Sequence, residues 1–129
     1  MGEITSVEEF EDPNTVKVVA DLTGHALYFS REPIPSRRKG IDAVPMHKQI
    51  CIIPFRRDYL LKYNALEETP LEVIESVDMM RILENGESVR MVKTKEPSYG
   101  VDTQEDLILV EKEMTRDLLM PRYLSRNHD

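Results

Sequence analysis

The chain has 129 residues, 40% apolar and 32% charged, the size and balance of one soluble globular domain. Its net charge of −7 repels polyanions, so nucleic acid is not an expected partner. No apolar run approaches the ~18 residues needed to cross a membrane, and the acidic start "MGEITSVEEFEDP" has no secretory segment, so a cytoplasmic protein without a membrane partner is expected.

Residues 16–20, Val-Lys-Val-Val-Ala, alternate as a strand does, with Val16, Val18 and Ala20 on one face. Leu22-Thr23-Gly24-His25 supplies a turn and Ala26-Leu27-Tyr28-Phe29-Ser30 resumes the pattern, which predicts a β-hairpin. Residues 31–45, "REPIPSRRKGIDAVP", carry three prolines and a glycine and predict an irregular loop. Its Arg37-Arg38-Lys39 cluster reads as a solvated basic loop, with a small-anion site as the sharper alternative.

Ile50-Cys51-Ile52-Ile53 is continuously apolar, as a strand covered on both faces is, and this places the single cysteine as a buried, inert thiol. One cysteine excludes an internal disulfide and a multi-cysteine metal site. After Pro54, residues 56–63 predict a short helix. A second helix opens at Thr69-Pro70-Leu71-Glu72, a capping box with proline at the first helical position. It is expected to run to about Glu84 and stop at Asn85-Gly86, with Leu71, Ile74, Val77 and Met80 as its core stripe, widened by Val73 and Met79. Residues 88–93 predict a further strand.

In "SYGVDTQEDLILVEKEM", residues 98–114, Thr103 and Asp106 form a second capping box, and Leu107, Val110, Met114 and Leu118 mark the expected buried face of the last helix. Residues 121–129 are expected as a loose tail. Strands and helices together suggest an α/β fold in one domain. Asp102 precedes that helix, at the strand-end edge where open α/β sheets bind ligands. On residue pattern alone, a turn-forming aspartate competes with a catalytic one.

Three stretches bear on that choice: "PNTVKVVADLTGHALYFSREPIP", "FRRDYLLKYNALEETPLEVIESVDMMRILENG" and "GVDTQEDLILVEKEM". In order and spacing they resemble the C-terminal half of the 3-deoxy-manno-octulosonate cytidylyltransferase (CMP-KDO synthetase) family, over roughly residues 12–114. The resemblance implies a partial nucleotidyltransferase (Rossmann-like) mixed sheet with a β-hairpin and flanking helices. It implies an enzyme, a homodimer, that transfers CMP from CTP to a sugar acid, releasing pyrophosphate, in lipopolysaccharide biosynthesis. It also implies Mg²⁺, with Asp102 of "GVDT" as the catalytic metal ligand. Arg31 matches an arginine at the pocket edge, where it would hold a carboxylate or phosphate, with a structural salt bridge as the alternative.

The departures from the family pattern are equally informative. The five glycines are too far apart to cradle phosphates, and a second metal-binding aspartate before the hairpin is missing. The chain therefore reads as about half of such an enzyme, a fragment expected to be inactive alone. Where the family has a basic residue and His before a "GIY" strand, this chain has Lys48-Gln49 and then Ile53 in place of the tyrosine. Where the family's Glu-Gln pair faces the sugar, it has Asp78-Met79. Ile53 and Met79 cannot hydrogen-bond, and each buried polar group left unpaired costs on the order of 1–3 kcal/mol. A sugar acid less polar than KDO is therefore a candidate substrate. The competing reading is a degenerate, non-catalytic module that serves dimerisation or partner binding.

Overall fold

The computed structural model describes residues 1–40, 44–95, 98–101 and 103–124. They fall in two compact units, Met1–Glu96 and Pro97–Asp129.

The first unit is built on an antiparallel hairpin, β2 (Lys17–Ala20) and β3 (Ala26–Ser30), as the alternation predicts. Its turn is held by Asp21, whose Oδ1 accepts from the amides of Thr23 (2.8 Å) and His25 (2.9 Å), while Gly24 takes φ +86°. The register pairs Lys17 with Ser30, Val18 with Phe29 and Val19 with Tyr28, then shifts to Ala20 with Ala26. That bulge leaves Leu27 without a cross-strand partner, and it is 62% exposed despite its apolar side chain. Short strands β1 (Gly2–Glu3) and β4 (His47–Lys48) complete a four-stranded sheet in the order β1-β4-β2-β3, with every pairing antiparallel. Helix α1 (Val7–Glu11) is capped by Ser6, whose hydroxyl accepts from Glu9 N at 3.1 Å, and it buries Phe10.

Residues 50–53 are not the expected covered strand. Ile52 N donates to Ile50 O at 2.8 Å, so the chain curls immediately after β4, and Pro54 restricts the residue before it. Past the half-buried Ile50 the run is open: Ile52 is 84% exposed, Ile53 is exposed, and Cys51 is an exposed thiol rather than a buried one. Helix α2 (Arg57–Asn64) follows as expected. Phe55 stacks on Tyr59 and tilts against Tyr63, a small aromatic cluster at the edge of the core.

The long helix expected from Thr69 is two short ones, α3 (Pro70–Glu75) and α4 (Met79–Glu84). The break is at Ser76, which adopts φ 52°, ψ 50°, a left-handed conformation uncommon for a residue with a Cβ. Tertiary contacts compete for the carbonyls that would continue the helix: Arg31 Nε donates to Glu75 O at 2.8 Å and its Nη2 to Ser76 O at 3.1 Å. The redirected chain buries Val77, Met79, Met80 and Ile82 against Val18 and Phe29. Val73 and Ile74, expected in the core stripe, are 63% and 73% exposed. Helix α4 ends as its sequence predicts: Gly86 at φ +74° lets Glu87 N reach Ile82 O and Gly86 N reach Leu83 O, a Schellman closure.

The expected strand at 88–93 reduces to one bridge, His25 with Arg90, flanked by Ala26 N to Val89 O (2.9 Å) and Met91 N to Gly24 O (2.8 Å).

The second unit holds α5 (Gln104–Met114) and α6 (Met120–Leu124). The Thr103 capping box is complete, with Asp106 N to Thr103 Oγ1 at 3.2 Å and Thr103 N to Asp106 Oδ2 at 2.9 Å. The face expected to be buried is largely open: Leu107, Met114 and Leu118 are 38%, 47% and 92% exposed, and Val110 is half-buried. Residues 121–124 of the segment read as a tail belong to α6, and 125–129 lie outside the described residues.

Candidate functional site

A connected polar constellation is assembled where the hairpin meets α3. Lys17 heads β2 and is fully buried; its ammonium donates to Asp12 O at 2.8 Å and to Arg31 O. Burial without a carboxylate ligand pushes its pKa below the usual lysine range. Opposite it, the Glu75 carboxylate accepts from Tyr28 Oη (3.0 Å), Ser30 Oγ (3.0 and 3.1 Å) and Arg31 N (3.0 Å). Burial and then this carboxylate raise the Tyr28 phenol above its ordinary value.

Arg31, expected at the edge of an acid-binding pocket, spends its guanidinium on the backbone. Besides Glu75 O and Ser76 O, its Nη1 donates to Pro13 O at 2.9 Å. The side chain therefore splices three segments of the fold together. Sequence reasoning missed Glu75 and Lys17. The alternation puts Lys17 on the strand face opposite Val16, Val18 and Ala20, and no local pattern marks Glu75.

The other candidate residues are distributed over two places. Lys48 closes β4 and pairs with Glu9 on α1, Nζ to Oε1 2.5 Å. The backbone of Gln49 donates to Val16 O at 2.8 Å, while its buried Oε1 has no hydrogen-bond partner. A buried acceptor left open in this way has unused hydrogen-bonding capacity. Ile53 lies in the exposed curl after it. Asp78 stands exposed before α4; its carbonyl accepts from Tyr63 Oη (3.2 Å) and Arg81 N (3.2 Å), and its carboxylate makes no cap. Met79, next to it, is 4% exposed and packed in the core. Asp102 lies outside the described residues.

A clasp between α3 and α4 holds Asp78 in place. Arg81 donates to Glu72 through Nε (2.7 Å) and Nη2 (2.5 Å), and its Nη1 reaches Leu66 O at 3.2 Å. The guanidinium also lies 5.0 Å from the Tyr63 ring centroid. Arg81 draws the Glu72 pKa below the ordinary carboxylate range, and the same bond raises its own. At the N-terminus of α3, Glu72 Oε2 accepts from Thr69 N at 3.2 Å, the carboxylate half of the expected capping box. Thr69 Oγ1 sits in capping position yet remains without a partner, because Glu84 Oε2 takes the amides of Leu71 (3.0 Å) and Glu72 (3.2 Å).

Among the described residues no group of three or more His, Cys, Asp or Glu is placed to hold a metal ion. Nor is any helix among them long and apolar enough to cross a membrane.

Comparison with known proteins agrees with this architecture. The family profile described as Cytidylyltransferase matches residues 1–91. The 3-deoxy-manno-octulosonate cytidylyltransferase of Syntrophotalea carbinolica is 45% identical over 112 residues, covering 81% of this chain and 45% of that protein. The enzyme of the same name from Geobacter metallireducens is 39% identical over 123 residues, covering 88% of this chain and 48% of that protein. Among solved structures, CMP:2-keto-3-deoxy-manno-octonic acid synthetase complexed with CTP superposes with a TM-score of 0.80 at 37% identity, over 91% of this chain and 48% of that one. The chain thus spans about half the length of the curated relatives it matches. With a nucleotidyltransferase fold shared over 91% of its length and a family match over residues 1–91, the chain belongs to the cytidylyltransferase family.

Proposed function

We propose that this chain supplies the acceptor side of a cytidylyltransferase that transfers CMP from CTP to a 3-deoxy sugar acid, KDO or a less polar relative, releasing pyrophosphate. The observation that carries this reading is the 37% identity and TM-score of 0.80 to a CTP-complexed synthetase across 91% of the chain. In it, Gln49, with its open buried acceptor, and Asp78, whose exposed carboxylate is free of capping duty, hydrogen-bond the acid's hydroxyls. Lys48 adds positive charge beside Gln49, and Ile53 supplies an apolar wall. Asp102 contributes one ligand to Mg²⁺, the remaining ligands coming from other parts of the complete fold. The protein works in the cytoplasm as a homodimer, and the isolated chain is inactive.

A second reading, a non-catalytic module for dimerisation or partner binding, is favoured by two observations. Arg31 has its guanidinium bound to three carbonyls, and Met79 is buried. Neither side chain offers a free group to a substrate.

Calorimetric titration with Mg²⁺·CTP separates the two. The chain alone, a form completed with the other half of the Syntrophotalea carbinolica enzyme, and that form with Asp102→Asn are compared. Binding and CMP transfer only in the completed form, weakened by Asp102→Asn, supports the cytidylyltransferase. No binding in either form leaves the non-catalytic module. Sedimentation equilibrium of the completed form tests the dimer.

A further inference from the structure

Beyond that reading, the geometry points to a separate site for a small oxyanion on an apolar body, a phosphate monoester or a carboxylate, in the cleft between α1 and the loop that follows β3. The cleft has a volume of about 850 Å³ and is lined by Val7 and Phe10 of α1, by Pro33, and by Arg37 and Arg38. Its walls are held in place independently of any ligand. Helix α1 is fixed by its Ser6 cap, by the buried Phe10 and by the Glu9–Lys48 pair. The loop is fixed at its start by Arg31 and by Glu32 N donating to Ser30 Oγ at 3.0 Å, and a local turn in it has Arg38 N donating to Ser36 Oγ at 3.3 Å.

The charges in this cleft are unusual for the molecule. Acidic residues outnumber basic ones 24 to 17, yet among the described residues no ion pair involves Arg37, Arg38 or Lys39. Glu11 and Glu32 also line the cleft without pairing with them. The Arg37 guanidinium instead lies 5.8 Å from the Phe10 ring centroid. A guanidinium over an aromatic face keeps its N–H edge free, and that planar edge matches the two oxygens of a phosphate or carboxylate. Arg38, next in sequence, supplies a second cation, and the exposed Val7 and Pro33 suit an apolar body attached to the anion. The two glutamates bias the site against multiply charged polyanions and toward a small ligand with a single anionic group.

The test is isothermal titration of the purified chain with phenyl phosphate, inorganic phosphate and benzoate, in the absence of Mg²⁺ and CTP. It is therefore independent of the cytidylyltransferase reading. Saturable binding of phenyl phosphate or benzoate, tighter than that of inorganic phosphate, is expected. Arg38→Gln, which removes no stacking contact, should weaken it about tenfold, and Arg37→Lys should weaken it similarly by removing the bidentate fork. Arg116→Gln, in the second unit, should leave it unchanged, and circular dichroism confirms that each variant is folded. Preference for phenyl phosphate over benzoate identifies a phosphate ligand, and the reverse a carboxylate; either outcome upholds the site. No saturable binding, or binding indifferent to both arginine substitutions, overturns it.

Discussion

Glu75 shows how a single side chain outside every motif organises this fold. Its carboxylate gathers the Tyr28 hydroxyl, the Ser30 hydroxyl and the Arg31 amide, so one residue of α3 fixes the end of β3. Glu75→Gln replaces one acceptor oxygen with a donor that faces donors, and should cost about 1–3 kcal/mol in urea unfolding. Tyr28→Phe removes one hydrogen bond and should cost about 1 kcal/mol, and the pair should be less than additive because the two share a bond. Glu75 was not legible in the sequence because its partners lie 44 to 47 residues away. Asp102 is the opposite case, its role implied by the "GVDT" resemblance while its position falls outside the described residues.

At the scale of elements, local signals were read well and long-range ones poorly. The hairpin turn, the Thr103 capping box and the Gly86 closure each depend on residues within six positions of one another, and each is present. Thr103→Ala should lower the helicity of α5 and cost about 1 kcal/mol, read by circular dichroism during thermal unfolding. The α3–α4 break had no such signal, since Ser76 is an ordinary helix residue until Arg31 takes its carbonyl. Ser76→Gly removes the strain of a Cβ at φ 52°. It should raise stability by up to about 1 kcal/mol, whereas the same change in a continuous helix would lower it by a similar amount. The direction of that change in a chemical melt therefore tests the break itself.

For the whole molecule, acid sensitivity follows from the groups whose pKa values folding moves. Glu72 has a folded value held below the ordinary 4.5, first by its hydrogen bonds from Arg81. Its stabilisation is therefore complete above about pH 4.5 and lost as pH falls through the lowered value. His47 acts in the same direction at higher pH. Burial, and then Lys93, lower it from 6.5, so folding disfavours its protonation and stability rises as pH climbs toward 6.5. The urea midpoint should thus decline in two stages on acidification. Glu72→Gln should flatten the lower stage and His47→Gln the upper one.

Composition and local pattern determined the α/β class, the hairpin and the helix caps, because these are written in contiguous residues, and three stretches in order and spacing carried the family resemblance. The tertiary structure decided which apolar residues are covered. The run at 50–53 and the stripes of α3 and α5 have the pattern of core segments, yet Ile52, Ile74 and Met114 are exposed. Burial requires a facing surface, and periodicity records a segment's readiness to meet one, not its presence. The tertiary structure likewise decided that Arg31 binds backbone carbonyls, because the helix break it stabilises exists only once β3 and α3 have packed.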